Sequence, residues 1–128
     1  MVEILVHEMT HHAMFIDEVR HVHFSYSAVT DKSTWARSAI LNVPRPLDKV
    51  LHSAVVATEV LLMRANHIGH PVMTKVHPPT NIMLNQLKDA IASTERVLLR
   101  YKGLDKIFTD RANEIFDNSQ QQSKALAA

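Results

Sequence analysis

The chain has 128 residues, enough for one domain with a single core. Hydrophobic residues make up 46% and charged residues 21%, and a net charge of +1 gives no basic field to draw nucleic acid or an anionic membrane. Cysteine is absent, which excludes disulfides and thiolate metal sites, so any metal must be held by His, Asp or Glu.

The opening MVEILVHEMT lacks the basic start of a secretory signal, and His7, Glu8 and His11 interrupt its apolar run. The longest mostly apolar stretch, VLHSAVVATEVLLM, carries His52 and Glu59 and is too short to span a bilayer. A cytoplasmic location follows by default. The first helix is predicted from Val2 to Phe24. Its first half is apolar on nearly all sides, the pattern of a buried helix. Residues 25–46 read as irregular, with Pro44 and Pro46 bracketing Arg45 and favouring extended backbone.

A second helix, again apolar almost all round, is predicted from Leu47 to near Gly69, with Pro71 as a stop. A third runs from about Asn81 to Lys102. Leu84, Leu87, Ile91, Leu98 and Tyr101 form its seam, and Gly103 is its cap. A shorter helix carries Ile107, Phe108, Ile115 and Phe116, and residues 119–128 read as a disordered tail. The fold expected is all-α. Residues 1–118 form a single bundle of about four helices, with a long irregular loop between the first two.

The sequence HEMTH at residues 7–11 has the order H-E-x-x-H. On a helix His7 and His11 lie one above the other, roughly 6 Å apart along the axis, so two imidazoles can grip one ion. Glu8, about 100° round the helix, is placed to reach a metal-bound water. Nine His and six Glu in 128 residues give about 0.03 chance matches to this spelling. A third ligand is expected from the second helix, where His52 and Glu59 share one face of an otherwise apolar element. Either is costly to bury unless used. Glu59 is the substitute ligand, or orients a ligand from behind. His12, His21, His23, His67, His70 and His77 are not expected to be ligands, His67 being the nearest to the His52 face. Arg37 and Arg45 lie in the loop between the two His-bearing helices, where a guanidinium can take a carboxylate in fork geometry. Trp35 reads as core.

The ordered set LVHEMTHH, STWAR and RPLDKVLHSA resembles the HExxH-type 2-oxoglutarate-dependent peptide β-hydroxylases, also described as HExxH-containing peptide-modification proteins. Trp35 and Arg37 stand for that family's Pro-Trp-Arg-like element, with Ala36 inserted. Arg45 and Pro46 match its Arg-Pro pair. Leu51, His52 and Ser53 match its Leu-His-Gly, with Ser in place of Gly. The resemblance covers roughly residues 4–67. Members carry substantial sequence before the H-E-x-x-H, so on this resemblance the chain would be a C-terminal half, a fragment or a minimal relative. The resemblance implies iron(II) held by His7, His11 and His52, 2-oxoglutarate as co-substrate with Arg45 and Arg37 as its carboxylate anchors, and hydroxylation of a peptide side chain at an sp³ carbon.

Two other functions compete. A zinc metallopeptidase would use Glu8 as general base, with His52 or Glu59 as third ligand. It would also need a β-strand edge to present substrate, for which the six residues before His7 leave no room. A non-catalytic helical module would bind metal or form a homodimer. The third helix's seam suits such pairing, and a dimer would cover the start of the first helix.

Overall fold

The structure, a computed structural model, describes residues 2–72, 76–101 and 107–128. Its centre is the helix Leu47–Met63 (α3), against which the helices Val2–Arg20 (α1), Thr80–Arg100 (α4) and Asp110–Ala127 (α5) all pack. Twelve of the 17 residues of α3 are buried, as its all-round apolar pattern requires. Leu47, Val56, Ala57 and Val60 are completely enclosed. Each large apolar side chain removed from water in this way contributes about 1.5–3 kcal/mol. The expected all-α bundle with a long loop between its first two main helices is what forms. Among the described residues, no helix is long and apolar enough to cross a membrane.

The same composition has a different outcome in α1. Only Thr10 and Met14 of its 19 residues are buried, whereas Val2, Leu5, Met9, Phe15, Ile16 and Val19 are exposed, Val19 at 88%. The expectation of a helix buried on all sides is corrected here. α1 lies at the edge of the bundle, and α3 alone supplies most of its cover. It ends at Arg20 rather than Phe24. The chain then leaves through His23 and Phe24, and Phe24 pairs as an isolated bridge with Phe108. Asp17 fastens this corner to α5, accepting from Arg111 Nε at 2.9 Å and Nη2 at 2.7 Å and lying 2.7 Å from His23 Nε2.

Residues 25–46 hold more order than their sequence suggests. A single helical turn, Tyr26–Val29 (α2), and a 3-10 turn, Lys32–Thr34, lead into a two-residue hairpin. Its strands, Ala36–Arg37 (β1) and Pro44–Arg45 (β2), pair antiparallel with Ala36 opposite Arg45. Asn42 takes a positive φ of 55° in the connection, and the Arg37 guanidinium donates to its carbonyl at 2.6 Å. Ser53 ties the segment to α3: its hydroxyl accepts from the Ala39 amide at 3.0 Å and donates to the Val50 carbonyl at 2.8 Å.

The second predicted helix ends as expected, but not as an α-helix throughout. Its last turn, Arg64–Ile68, is a π-helix, and Gly69 at φ 78° receives the chain with its amide on the Arg64 carbonyl. The seam of α4 turns inward: Leu87 and Ile91 are buried and Leu84, Leu98 and Tyr101 pack against the core, so this stripe is used within the chain. Gly103, expected to cap α4, lies outside the described residues. The predicted tail is corrected outright. α5 starts at a Thr109 cap, whose hydroxyl accepts from the Ala112 amide, and runs to Ala127. Ser119 and Ser123 are buried in it, and Leu126 packs on the core.

Candidate metal-binding site and its cavity

Glu3, His7, His11 and Phe15 follow one another at four-residue intervals, so they form one stripe along α1. The stripe borders a cavity of about 410 Å³ between α1, the hairpin and the first turns of α3. From α1 come His7, His11, Phe15 and Glu18. The segment before α3 adds Phe24, Tyr26, Ile40 and Arg45, and α3 adds Asp48, Lys49, His52 and Val56. Among the described residues, the lining runs from His7 to Val56.

His7, His11 and His52 are brought together, as a row rather than around a point. His7 Nε2 lies 3.2 Å from His11 Nε2, and His11 Nδ1 lies 3.0 Å from His52 Nδ1. The row continues on the other side, where His7 Nδ1 is 2.8 Å from His77 Nε2 and His77 Nδ1 is 3.1 Å from Glu3 Oε1. Glu3 closes it with a two-point ion pair to Arg64, at 3.1 Å to Nε and 2.8 Å to Nη2.

Burial acts on the rings of His52, His11 and His77. His52 is 6% exposed, and burial, helped by the neighbouring His11, pushes its pKa down to about 4. Burial also lowers His11, with His7 adding to the effect. His77 is lowered by burial despite its hydrogen bond to Glu3. For Glu3 burial pulls upward, but the hydrogen bonds of Arg64 and His77 and the charge of Arg64 outweigh it, so the carboxyl stays ionised. Neutral imidazoles are the form that binds metal.

The two Nε2 atoms of His7 and His11, 3.2 Å apart, have about the separation of two nitrogens that each sit 2.0–2.1 Å from one ion. That pair fits a metal. His52 stands beside it, on the opposite edge of the His11 ring. As the side chains lie, no group of three or more His, Asp or Glu among the described residues is arranged to hold an ion.

The remaining expected site residues divide clearly. Arg45 is half-buried and lines the cavity, and its guanidinium makes no hydrogen bond or ion pair among the described residues. Arg37 is exposed and engaged with the Asn42 carbonyl, away from the cavity. Glu8 is exposed on α1 and is not among the lining residues. Glu59 borders a different groove, with Asp17 and Arg111 on the far side of α1. His12, His21 and His67 are exposed, His70 lies 2.9 Å from the Thr80 hydroxyl, and His23 is buried against Asp17.

His77, Glu3 and Arg64 are the residues that sequence reasoning missed. Glu3 was legible as the next step of the 7–11 stripe. Arg64 was legible as a cation within an apolar helix, which demands a buried partner. Nothing local marks His77 within VHPPT. Comparison with protein-family models, curated proteins and solved structures found no match to the chain.

Proposed function

We propose that the cavity is the site of a metal-dependent peptide-modifying oxygenase, using iron(II) and 2-oxoglutarate to hydroxylate a peptide side chain. The observation that carries this reading is the company Arg45 keeps. A half-buried guanidinium without a partner among the described residues shares one cavity with His7, His11 and His52. His7 and His11 would hold the metal through Nε2, with His52 next to it. Bound iron(II) would supply open positions for the 2-oxo acid and for O₂. Arg45 would take the distal carboxylate of the co-substrate in fork geometry. Phe15, Phe24 and Val56 give the cavity apolar wall beside its polar and charged groups. The reducing cytoplasm, which keeps iron in the iron(II) state, is the setting this chemistry suits.

The zinc peptidase reading fits less well, because its general base, Glu8, is exposed and outside the cavity. The non-catalytic module has one observation in its favour, the exposed apolar face of α1, which a second copy of the chain would cover.

The test is metal analysis of protein purified without oxygen, followed by 2-oxoglutarate titration of wild type, Arg45→Lys and Glu8→Gln. Arg45→Lys keeps the charge but loses the fork, and should weaken 2-oxoglutarate binding about tenfold or more. Glu8→Gln should leave it unchanged. Peptide cleavage abolished by Glu8→Gln, with no 2-oxoglutarate bound by any form, would transfer the site to the peptidase reading. Absence of both activities and of metal would leave the helical module.

A further inference from the structure

The row of rings has a direction, and the buried ion pair at one end sets it. Arg64 is completely buried, and beyond Glu3 it donates Nη1 to the Pro78 carbonyl at 2.9 Å and to the Thr80 hydroxyl at 3.3 Å. A guanidinium in a protein is always charged, and the carboxylate it holds can only accept hydrogen bonds. The proton between Glu3 and His77 therefore sits on His77 Nδ1. His77 is 3% exposed, and the carboxylate beside it is already matched by the Arg64 guanidinium, so a second buried cation there would be uncompensated; its Nε2 therefore carries a lone pair and must accept. The donor facing it is His7 Nδ1, at 2.8 Å. With its proton on Nδ1, His7 keeps its lone pair on Nε2, the nitrogen turned toward His11.

We infer that His77, anchored by Glu3 and Arg64, is a positioning residue that fixes His7 in its Nδ1–H tautomer and so presents the Nε2 lone pair to a divalent cation shared with His11. The purpose assigned to that lone pair rests on the metal reading above, whereas the tautomer rests on the hydrogen bonds alone. The loop bearing His77 thereby contributes to the site without lining the cavity. Substituting a residue that orients a metal-binding imidazole from behind typically weakens metal binding about 10–100-fold.

The experiment uses the full chain, metal-free, with ¹⁵N-labelled histidine, at a pH above the ordinary histidine range. Long-range ¹H–¹⁵N correlation spectra identify each tautomer. His7 and His77 should both appear as the single Nδ1–H form. Zinc titrations of wild type, His77→Phe and His77→Gln follow, with urea unfolding as a check on the fold. His77→Phe removes the acceptor at similar volume, so His7 should become a tautomer mixture and zinc affinity should fall about 10–100-fold. In His77→Gln the amide oxygen can accept from His7, and most of the affinity and the single tautomer should return. If His77→Phe does not fold, the wild-type spectrum and the Gln variant decide. Wild-type His7 with its proton on Nε2, or a folded His77→Phe protein with unchanged tautomer and affinity, overturns the inference. Wild type that shows the tautomer and its dependence on His77 but binds no zinc removes the metal reading and leaves the positioning role standing.

Discussion

His77 Nε2 lies 2.8 Å from His7 Nδ1 across a separation of 70 residues. Through this contact and the Glu3–Arg64 pair, the segment before α4 and the end of α3 both grip the first turns of α1. The edge helix, poorly covered by apolar contact, is held at its N-terminal end by polar contacts.

That division predicts the effect of Glu3→Ala. Arg64 is completely buried and would lose the carboxylate that compensates it. Leaving one member of such a pair uncompensated costs about 3–5 kcal/mol. The expected result in urea unfolding is a loss of that order. The double variant Glu3→Leu/Arg64→Met should recover part of it, since an apolar pair of similar volume removes the buried charge. A loss below about 1 kcal/mol in Glu3→Ala would show that the pair carries little.

Acid should act in two stages. Unfolded, His52 binds a proton as pH falls through about 6.5, whereas in the fold it does so only near 4. Between those values the unfolded chain holds more protons. Stability of the metal-free protein is therefore full above about 6.5 and falls toward 4, by up to about 1.4 kcal/mol per pH unit from this group. Asp17 governs the next stage: Arg111 foremost, and His23, hold its carboxyl well below the usual range. Its contribution is present above the unfolded carboxylate value and is lost as pH drops below about 4. Urea midpoints across pH should show both limbs, with His52→Asn flattening the first and Asp17→Asn the second. A first limb equally steep in His52→Asn would contradict the assignment.

Ser53→Ala should loosen the cavity as well as the fold. The Ala39 amide loses its buried acceptor, at a cost of about 1–3 kcal/mol. Because that bond ties the hairpin carrying Arg45 to the helix carrying His52, amide exchange in residues 36–45 should accelerate more than in α4. Uniform acceleration in both would indicate global destabilisation only.

On α1, Ile16→Asp should be nearly silent for folding, within about 0.5 kcal/mol, because Ile16 is 65% exposed. If two copies of the chain meet through this face, the same substitution should turn a sedimenting dimer into a monomer. A dimer that survives both Ile16→Asp and Leu5→Asp is built on another surface.

α3 and α1 show how far sequence could lead. Both are apolar almost all round, and periodicity alone assigns both to the interior. α3 is interior because three helices surround it. α1 has one main neighbour, and nothing in its own residues states how many neighbours an element will have. The inward stripe of α1 was legible, since a four-residue step fixes which side chains share a face. The meeting of that stripe with His52 followed from two polar groups needing cover in apolar helices. The hairpin escaped notice because two-residue strands have no period to detect. The polar sequence NSQQQSK hid a helix whose small serines fit against the core, where larger polar residues would not. His77 escaped for a different reason: its importance is purely a matter of contact at long range.

Among the described residues the cavity draws its lining from residues 7–56, while α4 and α5 supply none of it. α4 and α5 thus support the bundle without lining the cavity, whereas α3 does both. Substitutions on the outer surfaces of the last two helices can tune how firmly the bundle holds together while leaving the lining of the cavity intact. Within the first 56 residues, changes at the lining positions and at the start of α3 touch both. A library diversified over α4 and α5 should therefore yield variants spread in melting temperature but alike in ligand preference, and one diversified over residues 7–56 should scatter in both.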